Sequence, residues 1–257
     1  MSTVHPAYAQ LRRVTDIASV LLENNPGMMT LDGTNTWILH APGSVECVVV
    51  DPGDNDEEHL QRVAGIGPVA LTLITHRHYD HTGGVDRFHE LTSAPVRSVD
   101  PAFLRGGASA LVDGEVIEVA GLKLRILATP GHTADSVSIV IENDASVLTG
   151  DTILGRGTAV LDDSDGDLGD YLTSLRSLAA LGEGLTVLPG HGPRPNAQRN
   201  GVPGSVSVSR PVTHFKTDAP TSAKGPSCRR PPWPAKAASS GTCSRVWSVP
   251  GVVGSQP

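Results

Sequence analysis

Four short apolar runs in this 257-residue chain each end at a turn carrying histidine or aspartate. Val69–Ile74 runs into THRHYDHTGG at 75–84, where three histidines and an aspartate fall between His76 and His81. Lys123–Ala128 leads into TPGHT and His132, Ser146–Thr149 into Gly150 and Asp151, and Thr186–Leu188 into PGHG and His191. Short apolar runs bounded by glycine or proline read as buried strands. Side chains at strand ends on a rigid scaffold hold the geometry that a metal or catalytic site needs. The flanking glycines let the backbone turn sharply beside them. Any fold for this chain therefore has strands, not helices, presenting most of its donor groups.

The first cluster has a spacing of its own. If the strand continues through His76 and His78, both side chains face the same side, because strand side chains alternate. Asp80 and His81 follow where the chain begins to turn. Four donors exceed the roughly three protein ligands of one open catalytic zinc, which points to a second ion.

Further β-like runs are expected at Thr15–Leu22, Thr34–Leu39, Glu46–Val50, Glu115–Val119 and Ser136–Ile141, and the first run extends to Thr75. Asp56–Ala64 reads as a helix with an acidic first turn, which suits the helix dipole. Gly169–Leu181 reads as a helix with Leu172, Leu175, Leu178 and Leu181 along one face and Gly182 as its stop. Gly83–Gly84 opens a short helix over Val85–Leu91. Many strands with a few interspersed helices predict layered sheets covered by helices.

Composition divides the chain in two. Residues 1–193 carry 26 acidic against 11 basic side chains, a net of −15. Residues 194–257 hold one acid, nine bases, ten of the 20 prolines and no Leu, Ile, Met, Tyr or Glu. Such a segment offers too little apolar surface to offset ordering entropy and is expected to be an irregular, disordered basic tail. A frameshifted read-through of a GC-rich gene accounts for its abrupt loss of pattern, and a natural basic tail is the alternative. The overall charge of −7 argues against an electrostatic grip on nucleic acid. No apolar run reaches the ~18 residues of a membrane span. The N-terminus lacks the uninterrupted apolar core of a secretory signal, so cytoplasmic residence is the expectation. Three cysteines without C-x-x-C spacing suggest neither disulfides nor a thiolate zinc site, and Cys47 reads as a buried strand residue.

The ordered pattern T-H-x-H-x-D-H, P-G-H-T, G-D and P-G-H-G resembles that of the metallo-β-lactamase superfamily over Thr15–Pro193. NPGMMTLDGTNTWIL at 25–39, DPGD at 51–54 and GDTILGRGT at 150–158 resemble the β-lactamase-like protein 2 group of hydrolases, bacterial members included. The resemblance implies an α+β fold, a four-layer αββα sandwich, with two divalent metal ions, usually zinc, along one edge. It implies that His76, His78 and His132 hold one ion, that Asp80, His81 and His191 hold the other, and that Asp151 bridges them. A metal-bridging hydroxide would be the nucleophile, with Asp80 as a ligand that also orients it or accepts a proton.

Fold and metals do not name the substrate. An aspartate at position 151, where zinc β-lactamases lack one, argues against antibiotic hydrolysis. A small ester, a thioester or a phosphodiester remains, RNA included, although the acidity of residues 1–193 weighs against RNA. Relatives continue after G-H-G-P into a helical, winged-helix-like region that shapes the cleft, whereas this chain continues into its basic tail. Two other readings follow: a metal-binding but catalytically impaired product, and nucleic-acid binding through the tail. His5, His40, His59, His89 and His214 read as surface or satisfied core residues. Asp51 and Asp54 read as turn residues, and Arg77 and Tyr79 as packing or solvent contacts. Arg156 is a candidate contact for an anionic substrate.

Overall fold

A computed structural model describes residues 7–193, which fall within one compact unit. The expected tail, its possible frameshift, His5 and His214 lie outside the described residues. In chain order the elements are β1 (Arg12–Arg13), β2 (Ala18–Leu22), β3 (Asn35–Leu39), β4 (Cys47–Val50), α1 (Glu57–Ala64), β5 (Val69–Leu73), α2 (Tyr79–Thr82), α3 (Val85–Thr92) and β6 (Val96–Arg97). A 3-10 turn at Pro101–Phe103 precedes β7 (Val116–Val119), β8 (Leu122–Ala128), β9 (Val137–Ile141), β10 (Ser146–Gly150), α4 (Leu168–Ala179) and β11 (Thr186–Pro189).

Two sheets form, one ordered β1-β2-β3-β4-β5-β6 and the other β11-β10-β9-β8-β7. Neighbours joined by turns or loops without a helix pair antiparallel. The pairs β4–β5, β5–β6 and β10–β11, joined through α1, through α2 and α3, and through α4, are parallel, as crossover connections require. The central strands are buried on both faces: every residue of β3, β4, β9 and β10 is buried. Alternation then divides each strand between two cores. Cys47 and Val49 pack with Leu60 and Val63 of α1 and Phe88 of α3. Val48 and Val50, equally buried, point the other way, toward the second sheet. Val140, Val147 and Val187 pack with Leu178 of α4, which leaves Ile139 and Ile141 for the space between the sheets. The result is four layers, αββα, in the α+β class. No helix among the described residues is long and apolar enough to cross a membrane.

Helix starts follow local chemistry. Asp56 caps α1, accepting from the backbone N–H groups of Glu58 (2.9 Å) and His59 (3.1 Å). Asp167 caps α4 through Asp170 N–H (2.9 Å).

Two expectations need correction. First, β5 stops at Leu73, so His76 and His78 do not share a strand face. Thr75 gives its N–H to Asp51 Oδ1 (2.8 Å) instead of a ladder carbonyl, while its own carbonyl accepts from Val137 N–H of the opposite sheet (2.9 Å). The chain is pulled out of the sheet there, and the two histidines converge from a loop. Second, one member of the expected α4 leucine face points outward, while Leu178 is buried and Leu181 packs beside it. Leu172 is exposed, and the inward face carries Ser174 and Leu178, flanked by the half-buried Tyr171 and Leu175. Ser174 belongs there because its hydroxyl donates to the Pro130 carbonyl (2.7 Å).

Candidate metal centre

All seven residues singled out in the sequence meet at one place, and each arrives at the end of a strand or in the turn after it. His76 follows β5. His78 precedes the single helical turn α2, which carries Asp80 and His81. His132 follows β8, Asp151 follows β10, and His191 follows β11. The donors therefore come from both sheets, at one edge of the sandwich.

Three ring nitrogens form the first group. His76 Nε2 lies 3.1 Å and His132 Nε2 3.0 Å from His78 Nδ1. The second group joins His81 Nε2 and His191 Nε2, 3.2 Å apart, with Asp80 Oδ2 at 3.3 and 3.0 Å from them. Asp151 stands between the groups. Its Oδ1 is 3.6 Å from His81 Nε2, and its Oδ2 is 3.2 Å from His191 Nε2 and 3.7 Å from His132 Nε2.

What these nitrogens carry can be read from their opposite sides. The Thr75 hydroxyl donates to Asp51 Oδ2 (2.7 Å), so it can only accept from His76 Nδ1–H (3.0 Å). His78 Nε2–H donates to Asp162 Oδ2 (2.7 Å), and His132 Nδ1–H to the Val160 carbonyl. His81 Nδ1–H donates to Asp51 Oδ2 (2.9 Å), and His191 Nδ1–H to the Gly33 carbonyl (3.1 Å). A neutral imidazole has one proton, and in all five rings the outer acceptor takes it. Five lone pairs and two carboxylates thus converge on a mostly buried space with no donor of their own.

That arrangement fits divalent cations. Outer carboxylate or carbonyl partners are how metal-bound histidines are oriented. Two nitrogens bound to one tetrahedral zinc stand about 3.3 Å apart, close to the separations here. Asp151 Oδ1 is buried and has no hydrogen-bond partner, a cost that a cation removes. Gly190 leaves the necessary room, since a Cβ there would stand 2.3 Å from Asp151 Oδ1.

Proton affinities carry the same message. Burial, then the neighbouring His81 charge, lowers His76, and burial lowers His132. Burial opposes charge on His81 and His191, but the carboxylates overcome it. Asp80, Asp51 and Asp151 raise His81, and Asp151 with Asp80 lifts His191 to about 9. Asp80 and Asp151 resist burial and fall well below the usual carboxylate range, held by His81 and His191. Positive charge is demanded where cations would bind, and protons supply it in their absence.

Sequence reading missed the supports. Asp51 is no mere turn residue: it is 1% exposed and accepts from both Thr75 donors and from His81. Its φ of 54° sets the side chain beneath the site. Asp162 holds His78 and also Arg77 (2.9 Å), which bonds Ser164 and Asp165 as well. The only available signal was the acidic run at 162–167. Tyr79 is exposed, with its ring over Gly83. Arg156 pairs with Asp32 (2.8 Å).

The αββα sandwich with this edge centre defines a class, and the comparison with known families agrees. The Metallo-beta-lactamase superfamily profile matches residues 29–191, and the chain belongs to that superfamily. Three groups of its His and Asp side chains are close enough to hold a metal ion: His76 with His78 and His132, His76 with His81 and Asp151, and Asp80 with His81 and His191. Its relatives include the atrochrysone carboxyl ACP thioesterase of Aspergillus fumigatus, 35% identical over 72% of this chain and 61% of that protein. The Beta-lactamase-like protein 2 homolog of Caenorhabditis elegans is 33% identical over 71% of this chain and 64% of that protein. Among solved structures, ETHE1 from Myxococcus xanthus superposes with a TM-score of 0.56 at 30% identity, over 68% of this chain and 76% of that one. The chain thus spans a little over three-fifths of the length of these two curated relatives.

Proposed function

We propose that this protein binds two divalent cations, zinc foremost, and hydrolyses a small-molecule thioester or ester. His76, His78 and His132 would hold one ion, Asp80, His81 and His191 the other, and Asp151 both. The observation that carries this reading is the convergence of five lone-pair imidazole nitrogens on two carboxylates, each ring anchored on its far side. Imidazole-rich sites suit zinc, and carboxylates complete the charge.

When bound, the cations supply water acidified towards neutral pH and positive charge opposite the oxyanion that forms on the substrate. The chain's own contribution is geometric. Asp80, with its side chain 25% exposed against 9% for Asp151, is the carboxylate nearer the open side. There it orients the attacking water, while its low proton affinity keeps it ionised. Asp151, deeper and held between His81 and His191, keeps the two halves of the centre in register.

The thioester assignment draws on the fungal thioesterase, and the net charge of −15 over residues 1–193 disfavours a polyanion. Residues 1–193 act as the catalytic domain, and the basic segment 194–257 supplies none of the seven donors. The test is metal analysis of the full-length protein with a panel of an acyl thioester, an aryl phosphodiester and a β-lactam. Two metal equivalents with thioester turnover is the expected result. His78→Ala and Asp151→Ala should each lose metal and at least 100-fold of the rate, in keeping with the weight of metal-centred charge stabilisation. Wild-type protein without metal overturns the centre. Turnover of the phosphodiester alone overturns the substrate class, and metal without turnover marks an impaired enzyme.

A further inference from the structure

The second group of donors rests on a buried polar strut that the reaction itself does not call for. Glu23, directly after β2, is fully buried, as is Thr34, directly before β3. Asn25 joins them. Its Nδ2 donates to Glu23 Oε2 (3.1 Å) and to Thr34 Oγ1 (3.1 Å), while its Oδ1 accepts from Thr34 N–H (2.8 Å). The Thr34 hydroxyl, having accepted from Asn25, gives its one proton to Asp80 Oδ2 (3.2 Å).

The direction of every bond in this string is forced. A flipped Asn25 amide would set its NH2 against Thr34 N–H, so the Thr34 N–H fixes which end of the amide is the oxygen. Glu23 is itself fixed. Both its oxygens accept from Asp54 N–H at 3.2 Å, and a Cβ on Gly53 would stand 2.4 Å from Oε2. The same segment ends at Gly33, whose carbonyl takes the His191 proton. Among the described residues, no hydrogen bond of Glu23, Asn25 or Thr34 reaches His76, His78 or His132.

The geometry points to Glu23, Asn25 and Thr34 as positioning residues that aim Asp80 at one of the two ions and not the other, an inference that rests on the assignment of Asp80 as a ligand. Asp80 needs such support. It belongs to a one-turn helix and is the partly exposed carboxylate of the centre. Partners behind a ligand typically change metal affinity by ~10–100-fold.

The test is a zinc titration of metal-stripped, full-length protein against a chelating indicator, which resolves the two equivalents. Asn25→Asp keeps the volume and replaces the donor by an acceptor. Thr34→Val keeps the shape and removes the hydroxyl, and Thr34→Ser restores it. In Asn25→Asp and Thr34→Val one equivalent should weaken by about tenfold or more and the other should hold its wild-type affinity. Thr34→Ser should recover most of the loss. Glu23→Met should shift the same equivalent in the same direction, and Asn25→Asp decides the matter if Thr34→Val does not fold. Unchanged affinities in the two blocking variants, or equal weakening of both equivalents, overturn the strut while leaving a two-metal centre intact. A wild-type protein that binds no zinc overturns the centre and the strut together.

Discussion

At the scale of single residues, the centre depends on atoms that bind nothing themselves. Gly190 has a backbone conformation open to alanine, yet a methyl group there would meet Asp151 Oδ1 at 2.3 Å and His81 Cε1 at 3.0 Å. Gly190→Ala should therefore strip the site of metal while the sheets still form. Circular dichroism should look native, and metal analysis should show less than half the wild-type content. Asp51→Asn keeps the left-handed backbone, which asparagine tolerates, but sets an NH2 against donors from Thr75 and His81. Metal affinity should fall by roughly 10–100-fold, and a wild-type value in an indicator competition would argue that Asp51 only shapes a turn. The convergence of the seven candidate residues was legible because each lies in a short local motif after an apolar run. Their supports were not. Asp51 lies 24 positions from Thr75 and Asp162 lies 84 from His78, and no local periodicity links such pairs.

At the scale of elements, burial on two faces made the strands easy to read. All nine expected runs form strands, with ends shifted by a few residues, because short apolar runs between turn residues have few other uses. β1 and β6 were missed because two residues carry no period, and β6 also follows Pro95. On α4 the leucine face was legible except at Leu172, which is exposed, because leucine spacing was weighed without Ser174, a polar residue that is buried for its hydrogen bond. Helix α1 offers a test of packing. His59 on its inner face is 6% exposed and lies 2.9 Å from the Thr36 hydroxyl, and burial lowers its pKa to about 4. The unfolded chain binds this proton below about 6.5 and the folded chain only below about 4. Acid therefore favours unfolding across that window, and stability is lost as pH falls from 6.5 towards 4. At pH 5 the loss from this one group should be about 2 kcal/mol. Urea unfolding of wild type and His59→Gln at pH 7 and pH 5 measures it: the gap between the two proteins should shift by that amount in the variant's favour. An equal shift in both would place the acid sensitivity elsewhere.

At the scale of the whole molecule, the centre is a tie between halves. His76, His78, Asp80 and His81 hang from the first sheet, and His132, Asp151 and His191 from the second. Among the described residues, backbone stitches across the sandwich edge include Val137 N–H to Thr75 and Asn35 N–H to Gly190. Cations held by donors from both sheets would bind the folded chain and not the unfolded one, so occupancy would add stability. At a free metal level 1,000 times the dissociation constant the gain is about 4 kcal/mol, or roughly 10 °C in Tm for a domain of this size. The gain has a pH dependence whose sign follows from the proton affinities. In the stripped protein His191 has its pKa raised to about 9 and His81 is raised as well. Their protons stabilise the stripped fold fully below about 6.5, and this contribution is lost as pH rises towards 9. Protons and metal compete for the same lone pairs. The difference in Tm between loaded and chelator-treated protein should therefore widen from pH 6.5 to pH 8.5. A scanning-calorimetry pair at each pH reads it directly. A difference that stays constant or narrows would mean that the lone pairs do not face a shared cation, whatever the motifs around them resemble.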